Sequence, residues 1–194
     1  MKLQEIREKV WRNGYSKQTL RQAWLAWLGD ANGNLHFDAA LTVTPRKILV
    51  KRVANKAGNG GTNRYRHLNK AELERANVRL VHLINKQVYK RAYVQFGKRL
   101  DVAAVIEGER ELIDKHTHLA LKRPAELATN EFARRVLKAL ELSGDFEILN
   151  KGYDERKHSV DKKYSYKLEI VDSGWLSYIT KKLNGKDFEN LYLL

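Results

Sequence analysis

Cysteine is absent from the 194 residues. Its absence excludes disulfides and thiolate metal sites, and it fits a cytoplasmic protein. No apolar run reaches the ~18 residues that a membrane-spanning helix needs. The opening "MKLQEIREKVW" is charged and amphipathic, unlike a secretory leader. There is no phosphate-binding P-loop either. "GNGGTNR" (Gly58 to Arg64) lacks the G-x-x-x-x-G-K-[ST] pattern, so nothing points to an ATPase. No internal repeat is visible. Acidic residues are scarce, 23 against 37 Lys and Arg, which leaves a net charge of +14. Such an excess favours a polyanionic partner, above all nucleic acid. An anionic membrane surface is the lesser option, because no strongly basic helix has a wide apolar face.

What is present divides into helices and strands. Residues 1–30 read as a helical extension, with Ser16 as an N-cap and a stripe of Leu20, Trp24, Trp27 and Leu28. "LHFDAALTVT" (Leu35 to Thr44) alternates. Phe37, Ala39, Leu41 and Val43 share one face, His36, Asp38, Thr42 and Thr44 the other, as in a half-buried strand closed by Pro45. Residues 54–70 are rich in Gly and Asn, lack apolar periodicity and read as a long basic loop. Arg64 and Arg66 are its candidate phosphate contacts, and Tyr65 its candidate stacking residue. One long helix is expected from Asn69 to about Phe96, stopped by Gly97, with Leu73, Leu80, Ile84, Val88 and Ala92 as its stripe. "DVAAVIEG" and "HTHLALKRP" follow as hairpin partners joined through "ERELIDK". A helix capped by Thr129 or Asn130 runs to Gly144. "DFEILN" and "YSYKLEIVD" read as further strands, and a last helix starts near Ser173. Helices of this length between runs of strands predict an α+β fold, an antiparallel sheet with packed helices.

Two of the six histidines stand in "HTH", His116 to His118. Alternate strand residues share a face, so the two imidazoles point the same way, with Cβ atoms about 7 Å apart. A pair this close can converge on one divalent ion, although adjacent histidines are also common as plain surface residues. Glu107 ends the neighbouring apolar strand and can complete a two-His, one-carboxylate site; Glu109 and Glu111 are the competing carboxylates. Mixed N and O ligation suits Mn²⁺ or Mg²⁺ in a phosphodiester enzyme, with Zn²⁺ left open.

"GWLSYITKK" (Gly174 to Lys182) places Leu176, Ile179 and Leu183 on one helix face and Tyr178 on the other, beside Lys181 and Lys182. Neighbouring cations favour the phenolate over the phenol, and a phenolate can attack a phosphodiester. Trp175 lies close enough in sequence to stack on a base. The plainer alternative is one solvated tyrosine among nine.

The order "ALTVTP" (Ala40 to Pro45), "HTH" and "YITK" (Tyr178 to Lys181) resembles the replication initiators of the HUH endonuclease superfamily. These start rolling-circle replication of small plasmids and viruses. The resemblance spans about residues 35–185. It implies a ferredoxin- or RRM-like endonuclease core within residues 31–194, with residues 1–30 as the extension. It implies a single-tyrosine enzyme in which Glu107, His116 and His118 hold Mn²⁺ or Mg²⁺ and Tyr178 is the nucleophile, assisted by Lys181. Arg64, Tyr65, Arg66, Trp175 and Lys182 would touch DNA. The partner implied is a single-stranded DNA origin, often exposed at a hairpin, with helicase and polymerase supplied separately. Thr117 departs from the family pattern, which has a bulky apolar residue between the histidines. A single-tyrosine transposase of the same superfamily, a metal-dependent hydrolytic nuclease and a non-catalytic basic nucleic-acid-binding domain are the alternatives. A relaxase is disfavoured, since it needs its tyrosine before the histidines and only Tyr15 stands there.

Overall fold

The structure is a computed structural model that describes residues 36–54, 61–108, 115–148, 166–171 and 191–193. The expected helices over residues 1–30 and beyond Ser173 lie outside the described residues, as do Tyr15 and the "ERELIDK" connection up to residue 114. In chain order the elements are β1 (Ala39–Val43), β2 (Ile48–Ala54), β3 (Gly61–Arg66), α1 (Lys70–Tyr89), α2 (Arg91–Phe96), β4 (Val102–Glu107), β5 (His116–Leu121), α3 (Thr129–Ser143), β6 (Tyr166–Ile170) and β7 (Leu191–Leu193). Five strands form one antiparallel sheet in the order β6-β1-β5-β4-β7, while among the described residues β2 and β3 pair only with each other. This is the α+β class with an antiparallel sheet.

Alternation in the strands splits the sheet into two faces. Leu41, Val43, Ala104, Ile106, Leu119 and Leu121 join Leu73, Leu80, Ile84, Phe132, Val136 and Leu140 from α1 and α3 in one hydrophobic cluster. The opposite face carries Ala40, Ala103, Val105 and Ala120, which are buried too. β1 is therefore covered on both sides over Ala39 to Leu41, rather than half-buried as its alternation predicts.

α1 begins where expected. The Asn69 side chain accepts from the Glu72 N–H at 2.9 Å and the Glu72 carboxylate accepts from the Asn69 N–H at 2.9 Å, a reciprocal capping box. Its end is different. The helix breaks at Lys90, whose backbone takes φ 51° and ψ −122°, and a separate turn, α2, runs on to Gly97 in the left-handed conformation. The core explains the break. Val88 is the last buried residue of α1 and α2 has none, so no packing force holds the chain in line past Lys90. α3 starts one residue early: Ala128 is its N-cap and makes no side-chain bond, and Gly144 ends it as predicted.

Three other expectations are corrected. Residues 61–66 are a strand rather than loop, because β2 offers them a partner that local periodicity cannot show. Over its described residues, 145–148, "DFEILN" makes only an isolated bridge between Pro45 and Phe146. Pro45 has no N–H to continue a ladder, and the Phe146 side chain is drawn fully into the core. β7, pairing with β4 at the far edge, was not anticipated at all.

Candidate metal centre

β4 and β5 are antiparallel neighbours with Glu107 opposite His116 and Val105 opposite His118. Directly paired residues project to the same face, so this register alone gathers Glu107, His116 and His118 on the side away from α1 and α3. Glu107 Oε2 lies 3.3 Å from His116 Nε2 and 3.7 Å from His118 Nε2. One ligand atom from each residue falls within 4.8 Å of the others. The rings meet edge to face with centroids 4.9 Å apart.

Those spacings suit a shared ion. Two donors each about 2.1 Å from one cation stand about 3.0 Å apart at a right angle and about 3.4 Å apart at a tetrahedral angle. Burial is graded across the group: the side chains of Glu107 and His118 are 3% and 5% exposed, and that of His116 is 24% exposed. A carboxylate withdrawn this far from water requires cationic or donor partners. His116 is the most solvent-exposed of the three side chains.

Thr42 supplies a role that sequence reasoning missed. It pairs with His118 across β1 and β5, and its Oγ1 lies 2.9 Å from His118 Nδ1. An Nδ1–H donated to that oxygen leaves the Nε2 lone pair facing Glu107, as a metal ligand requires. The only sequence signal was the place of Thr42 on the polar face of an alternating strand. Lys167 of β6 is the direct cross-strand partner of Thr42 on the other edge of β1 and is ion-paired with Glu169.

Thr117, between the histidines, faces the core and is fully buried. Its Oγ1 accepts a hydrogen bond from Asn77 Nδ2 of α1 at 3.1 Å. A polar residue is tolerated at this position because the helix above brings a matching donor.

Of the other predicted site residues, only those on β3 are described. Trp175, Tyr178, Lys181 and Lys182 lie outside the described residues, as do Glu109 and Glu111. Arg64, Tyr65 and Arg66 are exposed on β3. Arg66 already holds Glu72 in a bidentate pair with both distances 2.6 Å. This pair and the capping bond from Asn69 hold the Glu72 carboxyl well below its ordinary value, to about 2.

The chain matches no protein-family model, no curated protein and no solved structure. Among the described residues, no helix is long and apolar enough to cross a membrane.

Proposed function

We propose that this chain is a metal-dependent DNA strand transferase of the HUH type, which nicks and rejoins a single-stranded origin to start rolling-circle replication of a small plasmid or virus. The observation that carries the reading is the convergence of Glu107, His116 and His118 on one sheet face. The motif order in the sequence and the net charge of +14 support it.

In this reading Glu107, His116 and His118 hold Mn²⁺ or Mg²⁺, which when bound supplies Lewis-acid polarisation of the scissile phosphate and a template for it. Thr42 keeps the His118 ring in the ligating orientation. Tyr178 passes its proton to water and its oxygen attacks phosphorus. The bond from phosphorus to the 3′-oxygen breaks, that oxygen leaves as a 3′-hydroxyl after taking a proton, and the chain keeps a 5′-phosphotyrosine. Lys181 stabilises the phenolate and the developing charge. A later attack by a 3′-hydroxyl on the phosphotyrosine reverses these events and reseals the strand. The phosphodiester energy is conserved throughout, which agrees with the lack of a P-loop. Helicase and polymerase come from elsewhere.

The test is a covalent-adduct assay. Purified protein is mixed with single-stranded DNA hairpins and Mn²⁺, denatured in detergent and run on a gel. A retarded band that disappears with EDTA, with Tyr178→Phe and with His116→Ala is expected. Cleavage without a band would assign a hydrolytic nuclease instead. Neither cleavage nor a band, even with hairpins from the encoding element, would leave a binding module.

A further inference from the structure

We propose that the β2–β3 hairpin and the cleft at its foot form a contact surface for B-form duplex DNA, separate from the metal centre. The proposal shares with the reading above the expectation that the partner is DNA, but it needs neither the metal nor the tyrosine.

The hairpin stands outside the five-stranded sheet. Leu49 and Val50 of β2 are 50% and 60% exposed and Tyr65 of β3 is 56% exposed, with Asn63, Arg64 and Arg66 exposed around them. Successive strand residues point to opposite sides, so both faces of β3 over Asn63 to Arg66 meet solvent. An isolated two-stranded ribbon is marginal by itself. Here the foot is fastened to α1 by the Arg66–Glu72 pair. The register slips between Leu49 and Lys51, so that Val50 is bulged, a device that twists a ribbon and re-aims its side chains.

At that foot lies a cleft of about 400 Å³. Arg46, Lys47 and Ile48, at the start of the hairpin, line it together with Arg75 and Arg79 of α1, with Glu72 and Asp145 as its two carboxylates. Both carboxylates are already engaged: Glu72 by Arg66, and Asp145 by Arg79 in a bidentate pair at 2.8 and 2.9 Å. Arg46 spends its Nε on the Phe146 carbonyl at 2.8 Å, which leaves its terminal amino groups for another acceptor. Among the described residues Arg75 makes no hydrogen bond or ion pair, and it is exposed. The cleft therefore keeps an excess of positive charge.

The two features suit one ligand. The major groove of B-form DNA, about 12 Å wide, admits a two-stranded ribbon. The phosphates that border a groove are where a cation cluster at the root of that ribbon would lie, positioning the duplex while Arg64 faces the base edges. The A-form groove of duplex RNA is too narrow for a ribbon, and a single strand offers no groove at all.

Fluorescence anisotropy tests this with the full chain in EDTA, which silences the metal centre. The probes are a labelled 20-base-pair DNA duplex, one of its strands alone, and an RNA duplex of the same sequence. The DNA duplex should bind tightest. Arg75→Glu should lower its affinity about tenfold and reduce the salt slope by about 1. Arg64→Ala should weaken binding independently of the cleft. Lys138→Glu on α3, a charge reversal of equal size at an exposed site paired with Glu141, should leave affinity within about twofold. Circular dichroism confirms the fold of each variant. Equal losses from Arg75→Glu and Lys138→Glu, or single strand or RNA bound as tightly as duplex DNA, would overturn the proposal. Loss of the covalent adduct bears on the metal-and-tyrosine reading, and loss of duplex binding in EDTA bears on this surface.

Discussion

The hydroxyls of Thr42 and Thr117 serve opposite sides of one strand. Thr42 Oγ1 meets His118 Nδ1 on the metal side, and Thr117 Oγ1 meets Asn77 on the helix side. Thr42→Val keeps the branched Cβ and removes the oxygen. The expected result is a loss of Mn²⁺ affinity of about 10- to 100-fold by isothermal titration, largely restored in Thr42→Ser. Unchanged affinity would mean that strand pairing alone orients the ring. Thr117→Val strips the acceptor from a buried donor and should destabilise the fold by about 1–3 kcal/mol in urea unfolding. An effect near zero would show that Asn77 re-pairs without cost.

The elements carry predictions of their own. The pKa of Glu72 falls from 4.5 to about 2 on folding, through Arg66 first and the Asn69 N–H second. A depressed carboxylate contributes stability above its unfolded pKa and loses it as pH falls through the folded one. Fastening of the hairpin to the start of α1 should therefore be complete above pH 4.5, weaken between 4.5 and 2, and be absent below. Thermal melts across that window should show a smaller acid-dependent drop for Glu72→Gln than for the parent, and parallel curves would reject the assignment. Lys90 is the one described non-glycine residue with positive φ, at 51°. An L side chain is strained there, so Lys90→Gly should raise stability by about 1 kcal/mol. A fall in melting temperature would instead show that the Lys90 side chain is held by contacts worth more than the strain.

For the whole molecule, the metal reading makes a thermodynamic demand. An ion that binds only the folded state stabilises it by about 2.7 kcal/mol at a hundred times its Kd. Mn²⁺ should raise the melting temperature of the parent, and His116→Ala should abolish the shift. The His116 side chain is partly open to solvent, so its removal should disturb packing less than removal of His118. A shift that survives His116→Ala would place the ion elsewhere.

Local pattern was enough for much of the fold. The helix starting at Asn69, the stops at Gly97 and Gly144, and the strands ending in Glu107 and beginning at His116 follow from caps and periodicities that involve neighbours in sequence. The facing of His116 and His118 was legible for the same reason, since alternation is a property of one strand. The break at Lys90, the β2–β3 pairing and the addition of β7 were not legible. Each depends on whether a distant segment offers a core contact or a hydrogen-bonding edge. The candidate site divides along the same line. Sequence by itself determined that two imidazoles share a strand face and that a carboxylate ends an apolar strand. Only the tertiary structure decided that Glu107 stands opposite His116, and that Thr42, 76 residues from His118, sets the ring. Register between strands is a free energy summed over many pairs, and no single segment contains it.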